Sequence, residues 1–270
     1  MDKKNLAIGV FDSGMGGLTV LRDLQNNLPT ESFVYLGDTA RLPYGTKSRD
    51  TVKQYALQMG RVLVEKKIKA LVIACNTATT AALSHLQDVL VDLPVIGVVE
   101  PGANAAISAT RNGKIAVLAT QTTVASGSYQ NIIRSKRNDA MINAYPCSLL
   151  VALAEEGMVD NHIARSTLEH YLLNLQSEDT IVLGCTHFPV FKPLLNQIIS
   201  KEVSIVDSAK ETAIYLKHLL ADKNLLSDNH TSGETSFLVT DSVERFQKVG
   251  EIFLQRTLSF ADIELIDALT

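Results

Sequence analysis

The chain reads as an α/β protein made of two similar units, each with a mostly parallel sheet, related by pseudo-twofold symmetry and sharing a site at their interface. Three observations predict this. Strand-like and helix-like stretches alternate along nearly all of the 270 residues. Strand ends of the first part recur in the second at one offset, since Asp12 to Thr120, Val34 to Ile142 and Val98 to Val206 are each 108 residues apart. Two cysteines, 110 residues apart, each close an apolar run: Leu71-Val72-Ile73-Ala74-Cys75 and Ile181-Val182-Leu183-Gly184-Cys185. Such runs suit parallel strands buried on both faces, whose carboxyl ends deliver the next residue into a crevice.

In chain order, a strand over 6–11 ends in Asp12-Ser13-Gly14-Met15-Gly16-Gly17, a carboxylate and a hydroxyl followed by a glycine-rich turn. A strand over 32–36 leads into Gly37-Asp38-Thr39-Ala40-Arg41-Leu42-Pro43-Tyr44-Gly45, whose turn formers and phenol suit a substrate-clamping loop. The strand over 70–74 delivers Cys75, and a helix follows from Thr77. Further strands are expected over 95–98, 114–119, 140–144, 180–184 and 203–206. A strand over 236–240 and a helix over 243–254 lie beyond the repeat and are expected to return to the first unit. The units are therefore 1–97 plus 210–270, a discontinuous domain, and 98–209. Polar stretches at 134–139 and 227–236 read as surface loops.

Composition narrows the function. A net charge of −4 argues against a nucleic-acid or anionic-membrane surface as the main partner. No secretory hydrophobic region and no run near 18 apolar residues is present, so no membrane partner is expected and the chain is placed in the cytoplasm. Three widely spaced cysteines make no disulfide framework.

Two thiols at matching strand ends can approach one carbon from opposite faces, as inversion at a carbon acid requires. A helix starting after Cys75 would favour the thiolate through its amino-terminal N–H groups. Cys147 has no counterpart at the repeat offset and reads as structural. His187, two residues after Cys185, is placed to handle protons. Rival readings stay open at this point. Asp12 could be only a helix cap, and Asp38 only a support for its loop. The glycine-rich turn is not G-x-G-x-x-G and no Walker lysine follows it, but its N–H groups could meet a substrate carboxylate. Cys75, Cys185 and His187 could make a three-ligand zinc set, although no C-x-x-C or H-E-x-x-H occurs. Cys185 and His187 could also perform acyl transfer, and a binding protein on this fold is the remaining class.

Four segments, Asp-Ser-Gly-Met-Gly-Gly-Leu (12–18), Leu-Gly-Asp-Thr-Ala-Arg-Leu-Pro-Tyr-Gly (36–45), Ala-Cys-Asn-Thr-Ala (74–78) and Leu-Gly-Cys-Thr-His-Phe-Pro (183–189), resemble those of glutamate racemases, in order and over nearly the whole chain. The wider superfamily of aspartate and hydantoin racemases shares the cysteines but not the full set. The resemblance implies cofactor-independent interconversion of L- and D-glutamate, with no metal, supplying D-glutamate for peptidoglycan. It makes Cys75 and Cys185 the acid/base pair, Cys75 serving D-glutamate and Cys185 L-glutamate. Asp12 and His187 would assist the respective thiols, with Glu155 an accessory acid near His187. Asp12, Ser13, Tyr44, Gly45, Asn76, Thr77, Thr186 and His187 would hold the substrate, with Thr120 lining the pocket. The expected partners are this small substrate and a second copy of the chain in a homodimer. Two departures stand out: Cys147-Ser148 and Val151-Ala152 lack prolines usual in the family, which bears on the placement of Glu155, and Asp241 replaces a common glycine.

Overall fold

A computed structural model describes residues 3–267. The first strand, β1 (Ile8–Asp12), is buried along its whole length. It is followed by α1 (Leu18–Asn27), β2 (Phe33–Gly37), α2 (Arg49–Glu65), β3 (Ala70–Ile73), α3 (Asn76–Val89), β4 (Val95–Gly97) and α4 (Val99–Ala109). The same alternation continues through β5 (Lys114–Ala119), α5 (Gln121–Ser126), α6 (Ser128–Lys136), β6 (Met141–Pro146), α7 (Leu149–Glu155), α8 (His162–Leu172), β7 (Thr180–Gly184), α9 (Lys192–Ile198), β8 (Ser204–Asp207) and α10 (Ala209–Asp222). The chain closes with β9 (Thr235–Val239), α11 (Val243–Leu254) and β10 (Ile263–Leu265).

These strands form two sheets, a six-stranded one ordered β10-β9-β2-β1-β3-β4 and a four-stranded one ordered β6-β5-β7-β8. Strands β2-β1-β3-β4 and β6-β5-β7-β8 follow the same order, so the 108-residue echo in sequence is an echo in topology. Every pairing is parallel. The inner strands explain the apolar runs: β3 and β7 are buried at every position, whereas edge strand β6 alternates and leaves Met141 60% exposed. Strand β9 joins the first sheet beside β2, in register from Phe33↔Thr235 to Gly37↔Val239.

Helix α11 buries Phe246, Val249, Gly250, Phe253 and Leu254, the 3–4 spacing of an amphipathic helix laid on the core. Helix α10 packs against α1 and so ties the carboxyl end of the second repeat to the first sheet. Two details depart from the sequence reading. Strand β10 was not anticipated, because three residues with Glu264 and Leu265 exposed carry almost no pattern. The stretch 134–139 begins in helix, since α6 runs to Lys136 before turning. Among the described residues no helix is long and apolar enough to cross a membrane.

Candidate active site between the two sheets

The carboxyl ends of β1, β3, β5 and β7 converge, as crevice sites in parallel sheets do. Cys75 caps α3: its Sγ accepts the Ala78 N–H at 3.4 Å, and the thiol donates to Ser13 Oγ at 3.7 Å. Burial pushes this thiol up to about 12, with the Asp12 carboxylate adding to the shift against the Ala78 and Ser13 bonds. Cys185 follows β7, with its Sγ 3.8 Å from His187 Nδ1. His187 Nε2 lies 3.0 Å from Glu155 Oε1. Burial works against a charge on His187, but the bonds to Cys185 and Glu155 outweigh it and raise the imidazole to about 10. The ring also stands edge-on to Phe253, 5.3 Å between centroids, which fixes its tilt. Gly16 makes this approach possible, because a Cβ there would lie 2.4 Å from His187 Nδ1.

Asp12 is fully buried. It accepts the Gly14 N–H at 3.1 Å and the Thr186 hydroxyl at 3.3 Å, and burial raises its pKa. The residue in contact with the Cys75 sulfur is Ser13, and Asp12 acts on that thiol by its charge. Helix α1 is capped at Gly17, so Asp12 is not its cap residue. Asp38 does hold its loop: it accepts from Arg41 Nε at 2.8 Å, from Thr240 Oγ1 at 3.1 Å and from the Tyr44 phenol. This fastens Tyr44 against the site.

Both thiols open on one cavity of about 20 Å³. From the first sheet it is lined by Ser13, Tyr44, Gly45, Asn76 and Thr77, and from the second by Thr120, Thr186 and His187. Asp12 and Glu155 stand behind this lining, in contact with Thr186 and His187. With Ser148 and Ala152 in place of the usual prolines, Glu155 ends α7 and is buried. Pro43, from the loop read as a substrate clamp, and Val151, which had no signal in sequence, complete the wall. Among the described residues no three His, Cys, Asp or Glu side chains are grouped to hold a metal ion.

Hydroxyls stitch the seam. Thr77 Oγ1 lies 2.9 Å from Thr120 Oγ1, Thr122 donates to the Gly45 carbonyl at 3.0 Å, and Thr19 donates to the Thr186 carbonyl at 3.1 Å. The Tyr129 phenol donates to Asn76 Oδ1 at 2.7 Å, a contact with no motif to announce it. An outer cleft of about 560 Å³, with Lys47 and Arg49 on its wall, is lined by the residues that follow Gly45 and Thr120.

The arrangement can hold one thiol protonated and a sulfur–imidazole–carboxylate chain on the other side of a small cavity. Residues 8–215 match the Asp/Glu/hydantoin racemase family. A glutamate racemase of Geobacter metallireducens is 45% identical over 250 residues, covering 92% of each chain. A crystal structure of a glutamate racemase isoform from Bacillus anthracis superposes with a TM-score of 0.92 at 37% identity, over 98% of both chains. One from Francisella tularensis, in complex with D-glutamate, gives 0.90 at 35% identity, over 98% of this chain and 99% of that one. The fold, the paired cysteines and these likenesses agree, and the chain belongs to the Asp/Glu/hydantoin racemase family.

Proposed function

We propose that the protein interconverts L- and D-glutamate without a cofactor, passing the α-proton through Cys75 and Cys185 on opposite faces of the α-carbon. The observation that carries this reading is the single buried cavity onto which both thiols open. The full-length likeness to glutamate racemases supports glutamate as the substrate.

In the L-to-D direction, Cys185 takes the Cα proton while the His187 imidazolium, backed by Glu155, holds charge beside the sulfur. The electron pair left on Cα spreads into the substrate carboxylate. The Cys75 thiol, kept protonated by burial, returns a proton to the other face. The reverse reaction exchanges the roles. An α-proton is very weakly acidic, so the carbanion needs donors at the carboxylate; Asn76, Thr77 and Thr186 supply N–H and O–H groups there. The resulting D-glutamate would serve peptidoglycan synthesis.

A cavity of about 20 Å³ has room for about one water. Substrate is therefore admitted by a parting of the two bodies, 1–97 plus 210–270 against 98–209, with the cations Lys47 and Arg49 drawing the dicarboxylate into the outer cleft. Closure then excludes water from the thiols. The Cys185–His187 contact would also suit acyl transfer, but that chemistry leaves Cys75 idle and accumulates a thioester on Cys185.

The test is incubation of L-glutamate with the purified protein in D₂O. Loss of the Cα proton should accompany the decay of optical rotation, with no added metal or cofactor. A stable rotation with the Cα proton retained would reject the proposal, and release of ammonia from L-glutamine in a parallel incubation would favour acyl transfer.

A further inference from the structure

We infer that Tyr129 is a positioning residue for this reaction, a tether across the seam that aims the Asn76 carboxamide at the substrate and ties it to the strand end carrying Cys185. The inference rests on the racemase reading above.

Tyr129 lies in α6, next to the second sheet, and is 1% exposed. It touches the neighbours of both thiols. Its phenol donates to Oδ1 of Asn76, the residue after Cys75. Its ring edge lies where a Cβ on Gly184, the residue before Cys185, would sit, 3.1 Å from Tyr129 Cε2. Gly102, on α4, likewise leaves room for the phenol, since a Cβ there would be 2.9 Å from its oxygen. The ring therefore occupies space that two glycines leave open, and a side chain at Gly102 would meet its phenol oxygen.

The consequence falls on Asn76. A carboxamide has one accepting and one donating end. With Oδ1 taken by Tyr129, the NH₂ group faces away from α6, and Asn76 lines the cavity. Its Nδ2 is buried and has no hydrogen-bond partner among the described residues. An unmet buried donor is costly, and such groups in a site are where a ligand's acceptor belongs. The carboxylates of glutamate supply acceptors only, so they match this end of the amide and reject the flipped one. Burial and the neighbouring Cys185 keep the phenol protonated, so it has the hydrogen it donates to Asn76 Oδ1. Because the tether joins α3 of the first sheet to α6 of the second, it forms only when the two bodies are closed. Closure and correct aiming of Asn76 are one event.

The experiment is a double-mutant cycle with Tyr129→Phe and Asn76→Ala, reading kcat/KM for glutamate and, independently of turnover, the Kd for D-glutamate by calorimetry. Tyr129→Phe keeps the ring and removes only the donor. It should lower kcat/KM by about 3- to 10-fold, the range of one buried hydrogen bond, and weaken D-glutamate binding by a similar factor. Asn76→Ala should lose more, and the double variant should match Asn76→Ala within about twofold, since the phenol acts only through the amide. Losses that multiply, or a Tyr129→Phe variant equal to the wild type, would overturn the tether. A wild type that binds D-glutamate but does not racemise it would defeat the functional reading while the binding cycle still judged Tyr129. Should the Tyr129→Phe protein fail to melt cooperatively, wild-type crystals with D-glutamate decide. Asn76 Nδ2 should lie within about 3.2 Å of a substrate oxygen with the Tyr129 bond intact, and a flipped amide or a broken tether overturns the inference.

Discussion

His187 stands between a sulfur and a carboxylate, its Nδ1 3.8 Å from Cys185 and its Nε2 3.0 Å from Glu155. Cys75 has no such chain among the described residues: its sulfur is hydrogen-bonded there to a backbone N–H and the Ser13 hydroxyl, and burial keeps it protonated. The two thiols are thus inequivalent before any substrate arrives, one provided with a proton carrier and the other already carrying its proton.

Glu155→Gln keeps a hydrogen-bonding group opposite His187 Nε2 and removes the charge. The imidazole should then hold its proton less firmly, and kcat/KM should fall by about tenfold or more, the lower part of the range for general acid–base groups being about 100-fold. An NMR titration of His187 should give a lower pKa than in the wild type, where the bond to Glu155 helps raise the imidazole. Unchanged turnover with an unchanged titration would remove Glu155 from the proton chain.

The state of Cys75 makes a statement about stability. Burial raises its thiol from 9.0 in the free residue to about 12 in the folded chain. A raised folded pKa contributes stability that is complete below about pH 9 and is lost as pH climbs through 12. Cys147 and several buried tyrosines push in the same direction, so the useful quantity is a difference. The gap in melting temperature between the wild type and Cys75→Ala should change in favour of the alanine variant between pH 8 and pH 10.5. A constant gap would mean that Cys75 does not hold its proton as described.

Asp38 is a buried carboxylate bonded by Arg41, Tyr44 and Thr240, and Arg41 also stacks on Tyr55 at 4.2 Å. Asp38→Ala leaves the mostly buried Arg41 uncompensated and should cost about 3 kcal/mol or more, read by urea unfolding. KM for glutamate should rise as well, because Tyr44 and Gly45 lose their anchor. A loss below about 0.5 kcal/mol would reduce the network to a surface decoration.

Legibility followed burial and locality. Strands β1, β3, β5 and β7 could be read because burial on both faces writes an unbroken apolar run, and the cysteines could be read because they end two such runs. Edge strands β6 and β8, partly exposed, were still legible to within two residues at their ends, whereas β10, three residues long with two exposed, was not. In the site, residues within a turn of each motif were visible, Ser13 and Thr77 among them. Contacts between distant segments were not. Tyr129 sits 53 residues from Asn76, in a helix with no unusual pattern, and Thr122 reaches Gly45 over 77. Asp12 and Glu155 illustrate a middle case, in which the residue is visible and its partner is not: Thr186 for one, the far nitrogen of His187 for the other.

Cys147 has the burial of the other two thiols without their position. Its sulfur donates to the Tyr145 carbonyl at 3.4 Å, and it does not line the cavity. Cys147→Ala should keep most of the turnover and lose about 1–2 kcal/mol of stability. Cys75→Ala and Cys185→Ala should each fall below detection. A Cys147→Ala enzyme as inactive as those two would show that the pair is wrongly assigned.

The central claim, one thiol per face, cannot be judged from racemisation rates alone. The enantiomers have equal free energy, so kcat/KM must stay equal in the two directions for every variant. An irreversible reaction escapes this constraint. A glutamate analogue with a leaving group at Cβ undergoes elimination once the α-proton is removed, and needs only the base on its own face. Serine in place of cysteine leaves a far weaker base, so Cys75→Ser should lose elimination from the D-enantiomer much more than from the L-enantiomer, and Cys185→Ser the reverse. Opposed preferences in the two variants are the predicted result. Equal loss from both enantiomers in both variants would contradict the two-face account and point to one thiol serving both.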